Sequence, residues 1–587
     1  MAIDHLQEVI KLREKQPLSI GLLVEQQAAA RESAPMLIFE GRTVTYGEFN
    51  RQANRYAHLL ASRGVKKGDV VALLMDNRPE YLIAACGISK LGAVASLINN
   101  GVRKDVLAHA LSICNASYLI IGQELLAAYA EISDQVKMKA PAEIYLQAET
   151  AIGKVSHPAR IIYLNPLLET MSDTNPAATA EVNSEDVAVY IYTSGTTGYP
   201  KATAVLQKRW LILGHLMAML GQMDETKVQY MCLPLYHNSG FDIAFAGLIV
   251  TGSCMVLRRK FSASNFWKEV RTYNCTHFVY VGELCRYIYN QPPQPDDHDN
   301  PLEYVSGNGM RGDIMLPFKE RFGVKNLIEV YGATEGVGSF INFETIPGMC
   351  GNLSLGPQRQ GEIVRYDFVN DEILRDAAGF AQKAEAGETG LLLCEINDLN
   401  RFAGYVNNPE ATGAKIMHNI FREGDQYFNS GDLVQLHEHD YFSFVDRLGD
   451  TFRWKSENVS TNQVADTLIK FGGIEDANVF GVQVPGYEGR CGMVALKLLE
   501  GAEFEPQRFA AYVEEHLPAY ARPCFVRLRQ ELDITNSFKR VKSQLQKQGY
   551  NLSLVNDPLY FLDAETNSYI PLNQEICAAI DQGEIKL

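Results

Sequence analysis

The chain holds no CxxC pair and no Cys/His cluster at zinc spacing, although it has eleven cysteines. That excludes the common structural zinc folds and favours the buried, reduced thiols of a cytoplasmic protein. Basic charge is in deficit: 54 Lys and Arg against 70 Asp and Glu leave a net charge of −16. A general nucleic-acid binder needs the opposite balance, so no nucleic-acid partner is expected. No apolar run is long and clean enough to read as a membrane span. The two longest, Tyr81–Ile98 and Phe241–Leu257, contain Lys90 and Asp242 and read as buried helix–strand segments. Met1–Lys15 carries no apolar core of signal-peptide type. Repeats and low-complexity tracts are also absent. Peripheral contact with the inner face of a membrane stays compatible with all of this, as does a homodimer.

What is present is an ordinary globular composition, 46% hydrophobic and 21% charged over 587 residues. That length predicts two or more domains. Met36–Glu40 and Arg42–Thr45 flank Gly41 as a hairpin. Thr45 and Glu48 fit a capping box, and Phe49, Ala53, Tyr56 and Leu60 continue at helical spacing to a stop at Gly64. A strand over Val70–Met75, a helix over Glu80–Leu91 and a strand over Val94–Ile98 follow. This alternation predicts parallel sheets covered by helices, which bind ligands outside the carboxyl ends of their strands. Pro292–Asn300 and Ala377–Glu388 read as surface connections. Composition changes near Asp446. Beyond it come strands at Ala477–Val484, Met493–Leu499 and Phe525–Leu528, a helix over Pro506–His516 and a basic helix from Lys539.

The stretch with the most chemical content is Tyr190–Lys201. The apolar strand Val187–Ile191 runs towards Thr193, Ser194, Gly195, Thr196, Thr197 and Gly198, then Lys201. Glycines let a backbone approach an anion, hydroxyls donate hydrogen bonds, and a lysine adds mobile charge. The Walker A spacing is absent, so the site is a nucleotide loop of another kind. A flexible polar turn would have a similar composition.

The loop has company. Tyr331-Gly-Ala-Thr-Glu335 follows a strand-like run, Asn429-Ser-Gly-Asp432 precedes another, and Asp446–Lys455 comes next. With Tyr192–Lys201 this set resembles the adenylate-forming superfamily of acyl-CoA synthetases, adenylation domains and luciferases. Tyr280–Tyr287, Gly307-Asn308-Gly309, Asp450–Lys455 with Glu457–Thr461, and Asp557–Leu562 are similar to the fatty acid transport protein/very-long-chain acyl-CoA synthetase family. The resemblance spans about Ile20 to Pro571. It implies an α/β fold with a large multi-sheet N-terminal adenylation domain, residues 1–447. A small mobile α+β domain, residues 448–587, would pivot near Gly449.

The resemblance also implies roles. Thr193–Gly198 and Lys201 would hold the β- and γ-phosphates of ATP, and Glu335 a magnesium ion, with Thr334 beside the α-phosphate. Tyr331 would stack on adenine, closed on the other side by Gly307, Asn308 and Gly309. Asp432 would accept from the ribose hydroxyls and Arg447 would add a second contact. Lys539 would neutralise charge in the adenylation transition state. Arg453 and Lys455 would serve the thioester step with CoA, and His237 would shape or gate the acyl pocket. Ser456 stands where the family has Gly, and Thr535-Asn-Ser537 where it has Thr-Gly-Thr. His437 and His439 would share one strand face, but no further ligands accompany them as a metal site.

The leading expectation is an ATP-dependent ligase for a long or very long fatty acid, acting through acyl-AMP. Two alternatives are an acyl-AMP ligase loading a carrier protein in trans and a lipid-uptake or binding protein with weakened catalysis.

Overall fold

The computed structural model describes residues 2–12, 14–149, 161–193, 199–354, 359–367, 370–398, 400–455, 457–487, 489–533 and 541–587. The chain forms two compact units: residues 1–362 with 394–429, and residues 363–393 with 430–587. The second unit therefore gathers residues on both sides of the expected 447/448 division.

The first unit is built on mostly parallel sheets. One is seven-stranded, in the order Ile161–Tyr163, Glu143–Gln147, Tyr118–Gly122, Val70–Leu74, Val94–Leu97, Val187–Thr193, Lys201–Leu206. Every neighbouring pair is parallel except the last, which is an antiparallel hairpin. All five residues of Val70–Leu74 are buried, as expected of a sheet covered on both faces. The second sheet runs Pro35–Phe39, Cys254–Leu257, Val228–Met231, His277–Val281, Tyr304–Asn308 and Asn326–Gly332, all parallel. Antiparallel Ser339–Asn342 continues it.

The helix Tyr46–Ser62 starts where the sequence places it. Thr45 Oγ1 accepts from the Glu48 N–H at 3.2 Å. The capping box is only half formed, because the Glu48 carboxylate accepts instead from Gln52 at 2.8 Å. This helix packs on Pro79–Lys90, whose Gly87 permits the approach: a Cβ there would lie 2.6 Å from Tyr56 Cβ. The apolar runs resolve as expected. Tyr81–Ile98 is shared between that helix and the strand Val94–Leu97. Lys90 is fully buried against Glu25 at 2.7 Å. Phe241–Leu257 spans most of a π-helical turn, Ser239–Phe245, then the helix Ala246–Thr251 and the strand Cys254–Leu257. Among the described residues no helix is long and apolar enough to cross a membrane.

In the second unit a five-stranded sheet runs in the order Ile474–Val482, Cys491–Leu498, Phe525–Arg529, Leu559–Asp563, Ser568–Pro571. The helices Thr461–Leu468 and Pro506–His516 share its core through Val464, Leu468, Phe509 and Val513. The helix expected from Lys539 begins, among the described residues, at Ser543. Ala377–Glu388 is more structured than a plain connection, since isolated bridges join Arg375 to Ala381 and Val364 to Lys383. The pairing of His437 with His439 on one strand face does not occur. The strand Gln426–Leu436 ends before them, and His439 sits at φ 57° in a 3-10 turn. His437 Nε2 instead lies 2.8 Å from the Ser443 hydroxyl.

Candidate functional site

In the first unit the candidate residues gather at the carboxyl ends of parallel strands. Thr193 ends one strand and faces Lys201 across the hairpin. Ser194, Gly195, Thr196, Thr197 and Gly198 lie outside the described residues. The segment around Tyr405 runs along the second hairpin strand. Val406 N–H donates to the Ala202 carbonyl at 2.8 Å, and Thr203 bridges Tyr405. This places Lys201 Nζ over the Tyr405 ring, 5.4 Å from its centroid. The Tyr405 hydroxyl then donates to Glu335 Oε1 at 2.6 Å. Lys201 and Glu335 are thus joined through one aromatic side chain that the sequence did not single out.

Tyr405 is itself well held. Its N–H donates to Thr412 Oγ1 at 2.9 Å and its ring meets Phe402 edge-on at 5.4 Å. Burial, then the charge and hydrogen bond of Glu335, push its phenol well above the ordinary value. It therefore stays a donor at any physiological pH and fixes the carboxylate rotamer. No local pattern marks it, since it is one of 28 tyrosines. Its only signal is the aromatic run Arg401-Phe-Ala-Gly-Tyr405 ahead of the helix Pro409–Lys415.

Gly307 and Asn308 end the strand Tyr304–Asn308, Gly309 follows it, and Tyr331 lies near the end of the neighbouring strand Asn326–Gly332. Glu329, buried between them, organises this edge. It accepts from the N–H groups of Gly309 and Met310, the latter at 3.2 Å, and from the Tyr280 hydroxyl. Burial pushes its carboxyl up to about 8, against those hydrogen bonds. The glycines are needed sterically. A Cβ on Gly282 would overlap the Gly309 carbonyl, and one on Gly307 the Tyr280 carbonyl. Tyr331 faces Phe340 across the antiparallel pair, with centroids 6.0 Å apart. Thr334 and Glu335 follow in a turn closed by the Gly336 N–H on the Ala333 carbonyl at 3.0 Å. This cradle of small residues, a half-exposed ring and backbone edges fits a planar heterocycle.

His237 lies beyond the carboxyl end of Val228–Met231. Its carbonyl accepts from Gly240 and Phe241 N–H, both at 3.0 Å. Its Nδ1 accepts from Ser239 N–H at 3.4 Å, which leaves the proton of a neutral ring on Nε2.

A magnesium ion favours carboxylate and phosphate oxygens and keeps much of its hydration. Glu335 suits that role. One oxygen is fixed by Tyr405, and the other makes no hydrogen bond among the described residues. Those residues include no group of three or more His, Cys, Asp or Glu able to cage a metal. The donor set therefore fits an ion carried on a polyphosphate.

In the second unit Asp432 faces Arg447 across an antiparallel pair, with Nε 3.5 Å from Oδ1. Asp432 N–H donates to Ser430 Oγ at 3.0 Å, and that hydroxyl donates to the Leu392 carbonyl at 2.6 Å. The neighbouring Asp446 is buried and ties the strand Tyr441–Arg447 to the helix Thr461–Leu468. It accepts from Thr461 N–H at 2.6 Å and Thr461 Oγ1 at 2.8 Å. Burial raises its carboxyl above the usual range. Arg453 lies in the strand Phe452–Trp454, which pairs antiparallel with Glu457–Val459, and Lys455 follows it at φ 51°. Ser456, Asn536 and Lys539 lie outside the described residues. Gly449 has φ 98°, and a Cβ there would meet nothing within 4 Å.

The comparisons agree in kind. Residues 24–364 match the family model for AMP-binding enzymes. Long-chain fatty acid transport protein 2 of Rattus norvegicus is 37% identical, covering 99% of this chain and 93% of that protein. The medium/long-chain-fatty-acid–CoA ligase FadD6 of Mycobacterium tuberculosis is 38% identical, over 96% of this chain and 91% of that one. Among solved structures, the anthranilate CoA ligase AuaEII with anthranoyl-AMP superposes with a TM-score of 0.76 at 22% identity, covering 92% and 98% of the two chains. ATP-bound MatB of Rhodopseudomonas palustris gives 0.74 at 18%, covering 91% and 100%. At these identities the structural likeness speaks for the fold.

Proposed function

This chain belongs to the AMP-binding enzyme family, and we propose that it is an acyl-CoA synthetase that activates a long or very long fatty acid with ATP. In the first step a carboxylate oxygen of the acid attacks the α-phosphorus of ATP. The bond to the β-phosphate oxygen breaks, and pyrophosphate leaves. In the second step the sulfur of CoA attacks the acyl carbon of the adenylate, forming the thioester as AMP departs. The observation that carries this reading is the contiguous set Lys201, Tyr405 and Glu335 at a strand edge beside the Gly307–Gly309 and Tyr331 cradle.

Lys201 and the loop Thr193–Gly198 bind the β- and γ-phosphates, and Thr334 donates towards the α-phosphate. Glu335, oriented by Tyr405, would hold the magnesium ion. That ion, when bound, offsets phosphate charge. Tyr331 and the backbone of Gly307–Gly309 clasp the adenine, Asp432 accepts from the ribose hydroxyls, and Arg447 orients Asp432. Lys539 stabilises the charge that builds on the α-phosphate. Arg453 and Lys455 serve the thioester step after the segment beyond Gly449 rotates. His237 lines the acyl channel. The acid arrives ionised, so the first step needs no general base. Since a long-chain acid partitions into bilayers, the reading includes a cytoplasmic enzyme in peripheral contact with a membrane's inner face.

The test is acid-dependent pyrophosphate release across a chain-length series, with and without CoA. Turnover with long acids, with thioester formed only when CoA is present, supports the proposal. An adenylate that CoA cannot discharge would redirect it to a carrier-protein acceptor, and no acid-dependent pyrophosphate would leave a lipid-binding protein.

A further inference from the structure

Asp242 is only 1% exposed, and neither carboxylate oxygen has a hydrogen-bond partner among the described residues. It sits on the π-helical turn Ser239–Phe245. Such turns cost hydrogen-bond regularity and occur frequently at functional sites. The turn is pinned to the helix Gln207–Leu220 by Trp210 Nε1, which donates to the Phe241 carbonyl at 3.0 Å. The residue before Trp210 is Arg209. Its guanidinium makes no hydrogen bond or ion pair among the described residues. Arg209 is only partly exposed. It abuts the loop that carries Glu335: a Cβ on Gly336 would lie 3.0 Å from Arg209 Nε. Gly336 follows Glu335 and adopts φ 84°.

A partly desolvated guanidinium with no hydrogen-bonded partner is open to an anion, and its planar fork matches a carboxylate. We propose that Arg209 binds the carboxylate of the acid substrate and presents it beside Thr334 and Glu335, with Asp242 as the buried neighbour that sets how freely Arg209 binds. This rests on the acyl-CoA synthetase reading above.

The electrostatics support it. Burial pushes Asp242 up to about 8, with Arg209 opposing, so near neutral pH Asp242 is mostly uncharged. Burial pulls Arg209 down to about 10, which leaves it charged. Other groups facing the turn are accounted for. On the helix Gln207–Leu220, Lys208 pairs with Glu185 at 2.7 Å, and His215 lies 3.0 Å from His5. The helix Ala246–Thr251 carries no titratable side chain. On the strand Val228–Met231, Tyr230 donates to Glu269 at 2.6 Å. Arg209 and Asp242 together thus carry a net positive charge at neutral pH. Above about 8 Asp242 ionises and competes with the substrate for Arg209.

The experiment is ATP–pyrophosphate exchange with the full chain, without CoA, titrating a long-chain acid at saturating ATP. Wild-type exchange that depends on acid establishes the parent reading; its absence sinks both. Given that exchange, Arg209→Gln should raise the acid KM roughly 10- to 100-fold, the range for hydrogen bonds to a charged group. The KM for ATP should stay within about twofold on the same argument. Arg209→Lys should recover part of the loss, charge without the fork. Asp242→Asn should flatten the rise in acid KM that wild type shows above about pH 8. A wild-type acid KM in Arg209→Gln would overturn the assignment, as would a raised ATP KM instead, which would move Arg209 to the phosphates. Should Arg209→Gln fold poorly by thermal melting, Arg209→Lys and the Asp242→Asn pH profile decide. A profile that coincides with wild type refutes the role of Asp242.

Discussion

The hydrogen bond from Tyr405 to Glu335 can be weighed. Bonds to a charged partner contribute roughly 1.5–3 kcal/mol. Tyr405→Phe keeps the ring beneath Lys201 but frees the carboxylate. We expect kcat/KM for ATP to fall about 10- to 100-fold, with a higher magnesium requirement and an unchanged acid KM. Initial rates at varied ATP and magnesium test this; a lower melting temperature with intact kinetics would reduce Tyr405 to a packing residue. Lys539→Ala should cost roughly 10²- to 10³-fold in adenylation by analogy with other transition-state donors. Glu329 yields a pH signature. Its folded pKa of about 8 lies above the unfolded value near 4.3, so the folded state binds the extra proton. The stability it contributes is complete below about pH 4 and is lost as pH rises through about 8. The melting temperature of Glu329→Gln relative to wild type should therefore climb between pH 5 and pH 8, as scanning calorimetry would show. These residues differ in legibility. Lys201 stood out through the composition of its loop, and Tyr331 and Glu335 through the family motif they resemble. Tyr405 and Glu329 did not, because their work depends on partners about 70 and 20 residues away that only the fold brings near.

Among elements, sequence and structure agree where one local force dominates. The Thr45 cap, the buried run Val70–Leu74 and the helix Pro506–His516 follow from capping, burial on both faces and 3.6-residue spacing. The π-helical turn Ser239–Phe245 was hidden, because one extra residue per turn leaves no compositional trace. The His437–His439 alternation failed because positive φ at His439 breaks the strand's period of two. The glycine edges explain themselves once paired. Gly282 lets one strand-to-helix turn pass under the Gly309 carbonyl. Gly282→Ala should displace the adenine cradle and raise the ATP KM by at least about tenfold, while His237 and the acyl side are spared. Separate ATP and acid titrations test this, and equal losses in both would mean global disruption.

At the scale of the whole molecule the question is whether one chain reaches two arrangements. On the proposed function the two half-reactions use different groups: Lys539 in the first, Arg453 and Lys455 in the second, all in the unit that holds residues 430–587. The pivot we propose is Gly449. It takes φ 98° with open space where a side chain would stand, and it lies between Arg447, which faces Asp432, and the hairpin that starts at Phe452. Proline fixes φ near −65°, so Gly449→Pro is incompatible with the conformation described and admits only others. If the segment beyond Gly449 rotates at this residue, the substitution should remove one half-reaction and spare the other. ATP–pyrophosphate exchange reports the first, and CoA-dependent discharge of preformed acyl-AMP reports the second. Exchange and discharge should then differ by more than about tenfold in the variant, beyond the change that a local strain of about 1.4 kcal/mol would cause. Parallel decline of both would place the pivot elsewhere. Retention of both would mean that neither step needs the φ of Gly449, and the assignment of separate roles to Lys539 and Lys455 would lose its structural basis.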